Sequence, residues 1–119
     1  MDQSCTVYQT VRYLTKKWTL LIVLELYKGE NYTLRFSELK ESIPGITSKL
    51  LSERLKELEE ENIVNRRVDS RSFPVRTEYS LTVSGIEIIG IISDIKKWAL
   101  KWKIENVACG DQDCRECVL

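Results

Sequence analysis

The hydrophobic period of this chain changes at Asn62, and no other feature restricts its fold more. Before that point Leu51, Leu55 and Leu58 recur at i, i+4 and i+7, the spacing of one buried helix face. After it, Ile63 to Val68 is rich in β-branched residues and reads as a strand. Asp69 to Pro74 is a polar turn region, and Val75 to Leu81 reads as the returning strand, so the pair predicts a hairpin. Thr82 then caps a last long helix that runs to about Lys103.

Upstream, the pattern predicts four helices. Val7, Val11 and Leu14 give Cys5 to Leu14 a helical spacing. Lys17 to Tyr27 is too apolar for a surface helix and reads as a buried one, stopped at Gly29. Residues 30–36, with Tyr32, Thr33 and Phe36, suit a short strand or an extended loop. Ser37 is expected to cap a short third helix, Glu38 to Glu41. Pro44-Gly45 forces a turn, and Thr47 caps a fourth helix that reaches about Glu61. No internal repeat or low-complexity stretch interrupts this order.

Composition bounds the rest. A chain of 119 residues, 43% apolar and 30% charged, reads as one soluble globular domain. It can bury roughly two-thirds of its unfolded surface. We place that domain at residues 1–104 and an acidic, cysteine-bearing tail at 105–119. The longest apolar runs, Leu20 to Leu24 and Ile88 to Ile92, are far shorter than the roughly 20 residues of a bilayer span. The start, Met-Asp-Gln-Ser, has no signal-peptide pattern, so the expected setting is the cytoplasm and no membrane partner is expected. Lys plus Arg equals Asp plus Glu, 18 each, which argues against a polycationic coat but not against a local basic patch. The absence of histidine removes imidazole bases and His-ligated metals. With no Gly-rich phosphate loop, nucleophile elbow or clear acid pair, an enzyme is not expected.

Helices three and four, joined by the tight Pro44-Gly45 turn, have the form of a helix-turn-helix, and a hairpin directly after them is its winged version. The fold class is therefore mainly α with a small β-hairpin: a winged helix-turn-helix with flanking dimerisation helices. On a wheel of 100° per residue, the face opposite the leucine stripe of helix four holds Lys49, Glu53, Lys56 and Glu60, with Ser52 at its edge. Ser48, Lys49 and Ser52 occupy the first turns, the part of a recognition helix that reaches base edges. Glu57, Glu59, Glu60 and Glu61 would be repelled by phosphates, so only the amino-terminal half is expected to enter a groove. A plainly solvated helix with pairs such as Lys49–Glu53 is the alternative. Residues 62–77 hold Arg66, Arg67, Arg71 and Arg76 against Asp69, which suits phosphate contact or a narrow minor groove. Strand register, not fixed by the sequence, decides which of Arg66 and Arg67 points outward.

The last helix carries six isoleucines, followed by Trp98 and Trp102, an apolar arc too wide for one small core. With Val7 and Val11 it predicts a second buried surface, which a two-fold homodimer would supply. The alternative is that these residues roof the monomer core. In the tail, Cys109, Cys114 and Cys117 form a C-x4-C-x2-C set that could hold a metal or cluster. Three thiolates fall short of the four ligands zinc usually takes, so Cys5 or a second subunit would have to complete the shell. Redox pairing and a disordered tail are equally open.

Several segments together resemble the HxlR-type winged helix-turn-helix transcriptional regulators, relatives of the MarR group. They are Lys17-Trp18-Thr19-Leu20-Leu21-Ile22, Phe36-Ser37-Glu38-Leu39 and Ile43-Pro44-Gly45-Ile46-Thr47. Leu51-Ser52-Glu53-Arg54-Leu55-Lys56-Glu57-Leu58 and Arg76-Thr77-Glu78-Tyr79-Ser80-Leu81-Thr82, followed by Gly85, complete the match. The resemblance covers about residues 5–103. It implies a dimeric regulator that binds double-stranded DNA and usually represses a nearby promoter. It carries DNA contact onto Ser48, Lys49, Ser52, Glu53 and Arg54, and onto the wing arginines, of which Arg67, Arg71 and Arg76 are taken with Lys56 into the expected site. The wheel turns Arg54 partly toward the core, where its guanidinium can anchor the helix through an ion pair. The resemblance also implies a thiol at Cys5, twelve positions before Lys17, that in some members responds to oxidants or electrophiles. A helix amino-terminus favours thiolate and gives that response a physical route; a small buried hydrophobe at the dimer surface is the alternative. Residues 30–35 are longer than the usual link, and the tail lies beyond the family pattern. A different class of function, a winged helix used for protein interaction or metal sensing through its cysteine tail, stands beside the DNA-binding one.

Overall fold

The computed structural model describes residues 1–110 and 112–116. The elements run α1 (Thr6–Leu14), α2 (Thr19–Lys28), β1 (Thr33–Arg35), α3 (Phe36–Ser42), α4 (Ser48–Glu60), β2 (Val64–Asp69), β3 (Arg76–Leu81), α5 (Val83–Trp102) and α6 (Val107–Gly110). Short 3-10 turns at Glu30–Tyr32 and Cys114–Glu116 complete the order. The winged helix-turn-helix expected from the sequence is the fold observed.

The change of period at Asn62 has a backbone cause. Asn62 adopts φ 60, the left-handed region. Its N–H donates to the Glu59 carbonyl at 3.0 Å, and the Ile63 N–H donates to the Leu58 carbonyl at 2.9 Å. These two bonds satisfy the last carbonyls of α4 and turn the chain into β2. At the other end of α4 the Thr47 hydroxyl accepts from the Leu50 N–H at 3.1 Å, as the sequence predicts. The Thr82 hydroxyl caps α5 in the same way, through the Gly85 N–H at 3.2 Å. A β-carbon at Gly85 would stand 2.4 Å from the Ile63 carbonyl oxygen, so only glycine lets α5 approach the sheet this closely.

Two elements differ from expectation. The third helix starts at Phe36, with Arg35 rather than Ser37 at its cap position. Glu38 reaches back to accept from the Arg35 N–H at 2.9 Å, which moves the helix boundary two residues earlier and leaves Ser37 exposed inside the first turn. The hairpin, moreover, is two-thirds of a three-stranded antiparallel sheet ordered β1-β3-β2. Leu34 of β1 pairs with Tyr79, so β3 is central.

The core lies where α2, α3, α4 and the sheet meet. Ile22, Val23, Leu26, Leu39, Leu51, Leu55, Leu58, Val64 and Leu81 are buried, joined by Ile88 of α5. Each such side chain contributes about 1.5–3 kcal/mol on leaving water. Beyond Lys103 the sequence loses hydrophobic period, yet the chain folds back. The Arg115 guanidinium lies 4.7 Å above the Tyr32 ring, which stacks on Tyr27 with centroids 5.8 Å apart. Lys96 donates to the Gln112 carbonyl from α5.

Candidate nucleic-acid interface

Gly45, at φ +87, closes the turn between α3 and α4, and its α-carbon face looks onto Trp18. Trp18 itself takes φ 82 at the head of α2, a strained value for an aromatic residue that tight packing must hold. Below this turn, α4 presents Ser48, Lys49, Ser52, Glu53 and Lys56 to solvent and buries Leu51, Leu55 and Leu58. The exposed cations and hydroxyls sit in its first two and a half turns. Glu57, Glu59 and Glu60 follow, so the helix surface changes from mixed to acidic along its length.

Arg54 is placed differently from its neighbours. Its Nε donates to the Lys17 carbonyl at 3.0 Å and its guanidinium meets Glu57 at 2.8 Å. The second Glu57 oxygen pairs with the Lys16 ammonium. Burial pushes the Glu57 carboxyl upward, but the hydrogen bonds from Lys16 and Arg54 outweigh it and hold the group below the ordinary glutamate range. Lys16, Arg54 and Glu57 therefore clasp α4 to the α1–α2 connection, and the Arg54 guanidinium is engaged inside the protein. Among the residues expected to contact DNA, it is the one turned away.

The register of the sheet settles the parity of the wing. Arg66 pairs with Tyr79, and Arg67 with Glu78. Cross-strand partners share a face, so Arg66 lies on the side of Tyr79 and Leu81, toward α4. Arg67, Asp69, Arg76 and Glu78 share the other face. A groove between α4 and the wing is lined by Ser37, Ser52, Arg66, Arg76, Thr77 and Tyr79. Lys56 and Glu59 border its deeper end beside Arg66. Arg66 is the residue the expected set left out. The buried Val64 and Tyr79, read with the pairing offset, give its direction, and that offset is the quantity the sequence does not state. Arg71 stands exposed at the tip. Asp69 accepts from its N–H at 3.0 Å, which, with the Ser72 hydroxyl, holds the Asp69 carboxyl below its usual range.

The remaining expected residues lie elsewhere. Cys5 is half-buried at the cap of α1, where its carbonyl accepts from the Gln9 N–H at 3.0 Å. Cys109 in α6 and Cys114 in the last 3-10 turn are half-buried free thiols. Among the described residues no three His, Cys, Asp or Glu side chains converge as a metal site, and Cys117 lies outside them. No described helix is long and apolar enough to cross a membrane.

The family described as HxlR-like helix-turn-helix matches residues 13–107. The chain belongs to the HxlR-like helix-turn-helix family. This HxlR-like chain is 45% identical over 105 residues to the uncharacterized HTH-type transcriptional regulator YvaP of Bacillus subtilis (strain 168), covering 86% of this chain and 94% of YvaP. A structure from Porphyromonas gingivalis W83, described as a MarR-family transcriptional regulator, superposes with a TM-score of 0.75 at 33% identity, covering 86% of this chain and 96% of that one. The reduced form of the transcriptional regulator YodB from B. subtilis gives 0.72 at 35% identity, over 86% and 97% of the two chains. YodB is also described in diamide-treated and quinone-bound forms. The HxlR-like proteins are DNA-binding transcriptional regulators, not enzymes.

Proposed function

We propose that the chain is a cytoplasmic repressor that binds a specific DNA sequence as a homodimer and loses affinity when its Cys5 thiol is modified. The observation that carries the DNA reading is the juxtaposition of two surfaces. Ser52 and Lys56 of α4, whose first turns also present Ser48, Lys49 and Glu53 to solvent, stand across one groove from Arg66 of the wing. A helix in the major groove puts the adjacent phosphate strand in that groove, and the wing in the next minor groove. Arg67 and Arg71 then face the flanking backbone, while Arg54 positions α4 instead of reading it.

The homodimer is supported by apolar residues the monomer leaves in water. Ile91, Ile95, Trp98 and Trp102 recur at i, i+4, i+7 and i+11 on α5, and all are exposed. Val7 and Val11 form a second exposed pair on α1. A two-fold partner presenting the same faces would cover both. The Cys5 reading is supported by its place at the head of α1 and by the likeness to YodB, which is described in reduced, diamide-treated and quinone-bound forms.

The test is a gel-shift titration against the DNA upstream of the gene and against random duplex, at low and moderate salt. We expect preferential binding to the upstream DNA, with affinity falling as salt rises. Diamide or a quinone should weaken that binding for the wild type and for a variant lacking Cys109, Cys114 and Cys117, but not for Cys5→Ser. Binding to neither DNA by a folded dimer would overturn the reading. Equal sensitivity in Cys5→Ser would remove the thiol from it.

A further inference from the structure

At the tip of the wing the Phe73 side chain is 101% exposed. Pro74 and Val75 follow it into solvent, and Val68 is exposed at the same end of the hairpin. Phenyl rings ordinarily gain from burial, and here one is held out beyond the domain. The turn that carries it is anchored. The Asp69 carboxylate accepts from the Arg71 N–H at 3.0 Å and from the Ser72 hydroxyl at 3.2 Å, and Asp69 pairs with Arg76 across the strands. Arg71, whose guanidinium also lies 3.6 Å from the Asp69 carboxylate, and Arg76 thus flank this apolar point along the chain.

We propose that Phe73 is a wedge that enters the DNA minor groove beside the recognition-helix site and unstacks a base step. The inference rests on the DNA-binding reading above. An apolar tip with an arginine on either side of it in the chain matches a groove with phosphate walls and stacked bases between them. An apolar side chain inserted there kinks the duplex by roughly 20–90° toward the major groove, which closes the DNA around α4. Pyrimidine–purine steps unstack most readily. Phe73 therefore gives a preference for such a step at each flank of the site, with no hydrogen bond to a base.

The experiment uses the full-length protein and a duplex that the wild type selects from a randomised pool. DNA bending is read by circular-permutation gel shift, and unstacking by 2-aminopurine emission, with the probe placed in turn at each flanking adenine. The wild type should bend the duplex and raise emission at one step per flank. Phe73→Ala should keep the same circular dichroism and the same core site but lose the bend and the emission rise, with affinity about tenfold lower. Phe73→Leu, which keeps an apolar wedge, should retain the bend. A wild type that binds without bend or emission change would overturn the wedge while leaving the DNA reading intact, as would Phe73→Ala indistinguishable from wild type. Failure of the wild type to select or shift any duplex would overturn the DNA reading and the wedge with it. Phe73-dependent binding to phosphatidylglycerol vesicles without a DNA bend would assign the tip to an anionic lipid surface instead.

Discussion

Lys49 and Arg71 are both exposed cations in different settings, and on the proposed reading they do different work. Lys49 rises from the first turn of a helix whose opposite face is fixed in the core, so its reach toward a base edge is defined. Arg71 stands on a turn at the domain's edge, suited to phosphate. Lys49→Ala should change the sequence preferred in selection from a randomised pool. Arg71→Ala should weaken specific and random DNA alike and reduce the log–log salt slope by about 0.9. Glu57 acts through the helix it holds. Its carboxyl is held below the ordinary range, so its contribution is present at neutral pH and is lost as pH falls through that depressed value. Because the Lys16 side chain is 44% exposed, the gap between wild type and Glu57→Gln should be at most about 1 kcal/mol at neutral pH. Thermal unfolding should show that gap closing in strong acid; a gap independent of pH would contradict the clasp. Sequence reading reached Arg54's inward turn, because a helical wheel has fixed geometry. It did not reach Arg66, because strand parity depends on a pairing offset set by the turn.

The elements draw their stability from α4. Leu55 is 1% exposed between the helices and the sheet. Leu55→Ala should cost about 2–5 kcal/mol in urea unfolding. A cost under about 1 kcal/mol would mean that α4 is not seated in the core as described. The helices of this fold were legible because their determinants are local: a Thr47 or Thr82 cap, a leucine every three or four residues, a glycine at a turn. Strand β1 was only half legible. Its three residues carry too little pattern, and what makes them a strand is pairing with β3, more than forty residues later. The cap of α3 moved for a local reason: the Glu38 carboxylate, three residues on, accepts from the Arg35 N–H and so competed successfully with the Ser37 hydroxyl. The cysteine tail offered no period at all; the contacts of Arg115 with Tyr27 and Tyr32 that seat it are long-range and aromatic.

For the whole molecule, the proposed homodimer would rest on the α5 stripe and would bring two recognition helices together. Trp98 is 56% exposed in one chain, on a helix whose other side already packs on the core. Trp98→Glu places a charge at the centre of the stripe. It should leave circular dichroism unchanged, convert a dimer to a monomer in sedimentation, and reduce specific DNA affinity far more than random binding. On the proposed reading, two α4 helices meet one face of a duplex together. Hydroxyl-radical footprinting on the selected duplex tests it most directly. Two protected half-sites with centres about 34–36 Å apart, on the same face, are predicted; a single half-site, or protection with no such spacing, would contradict the account.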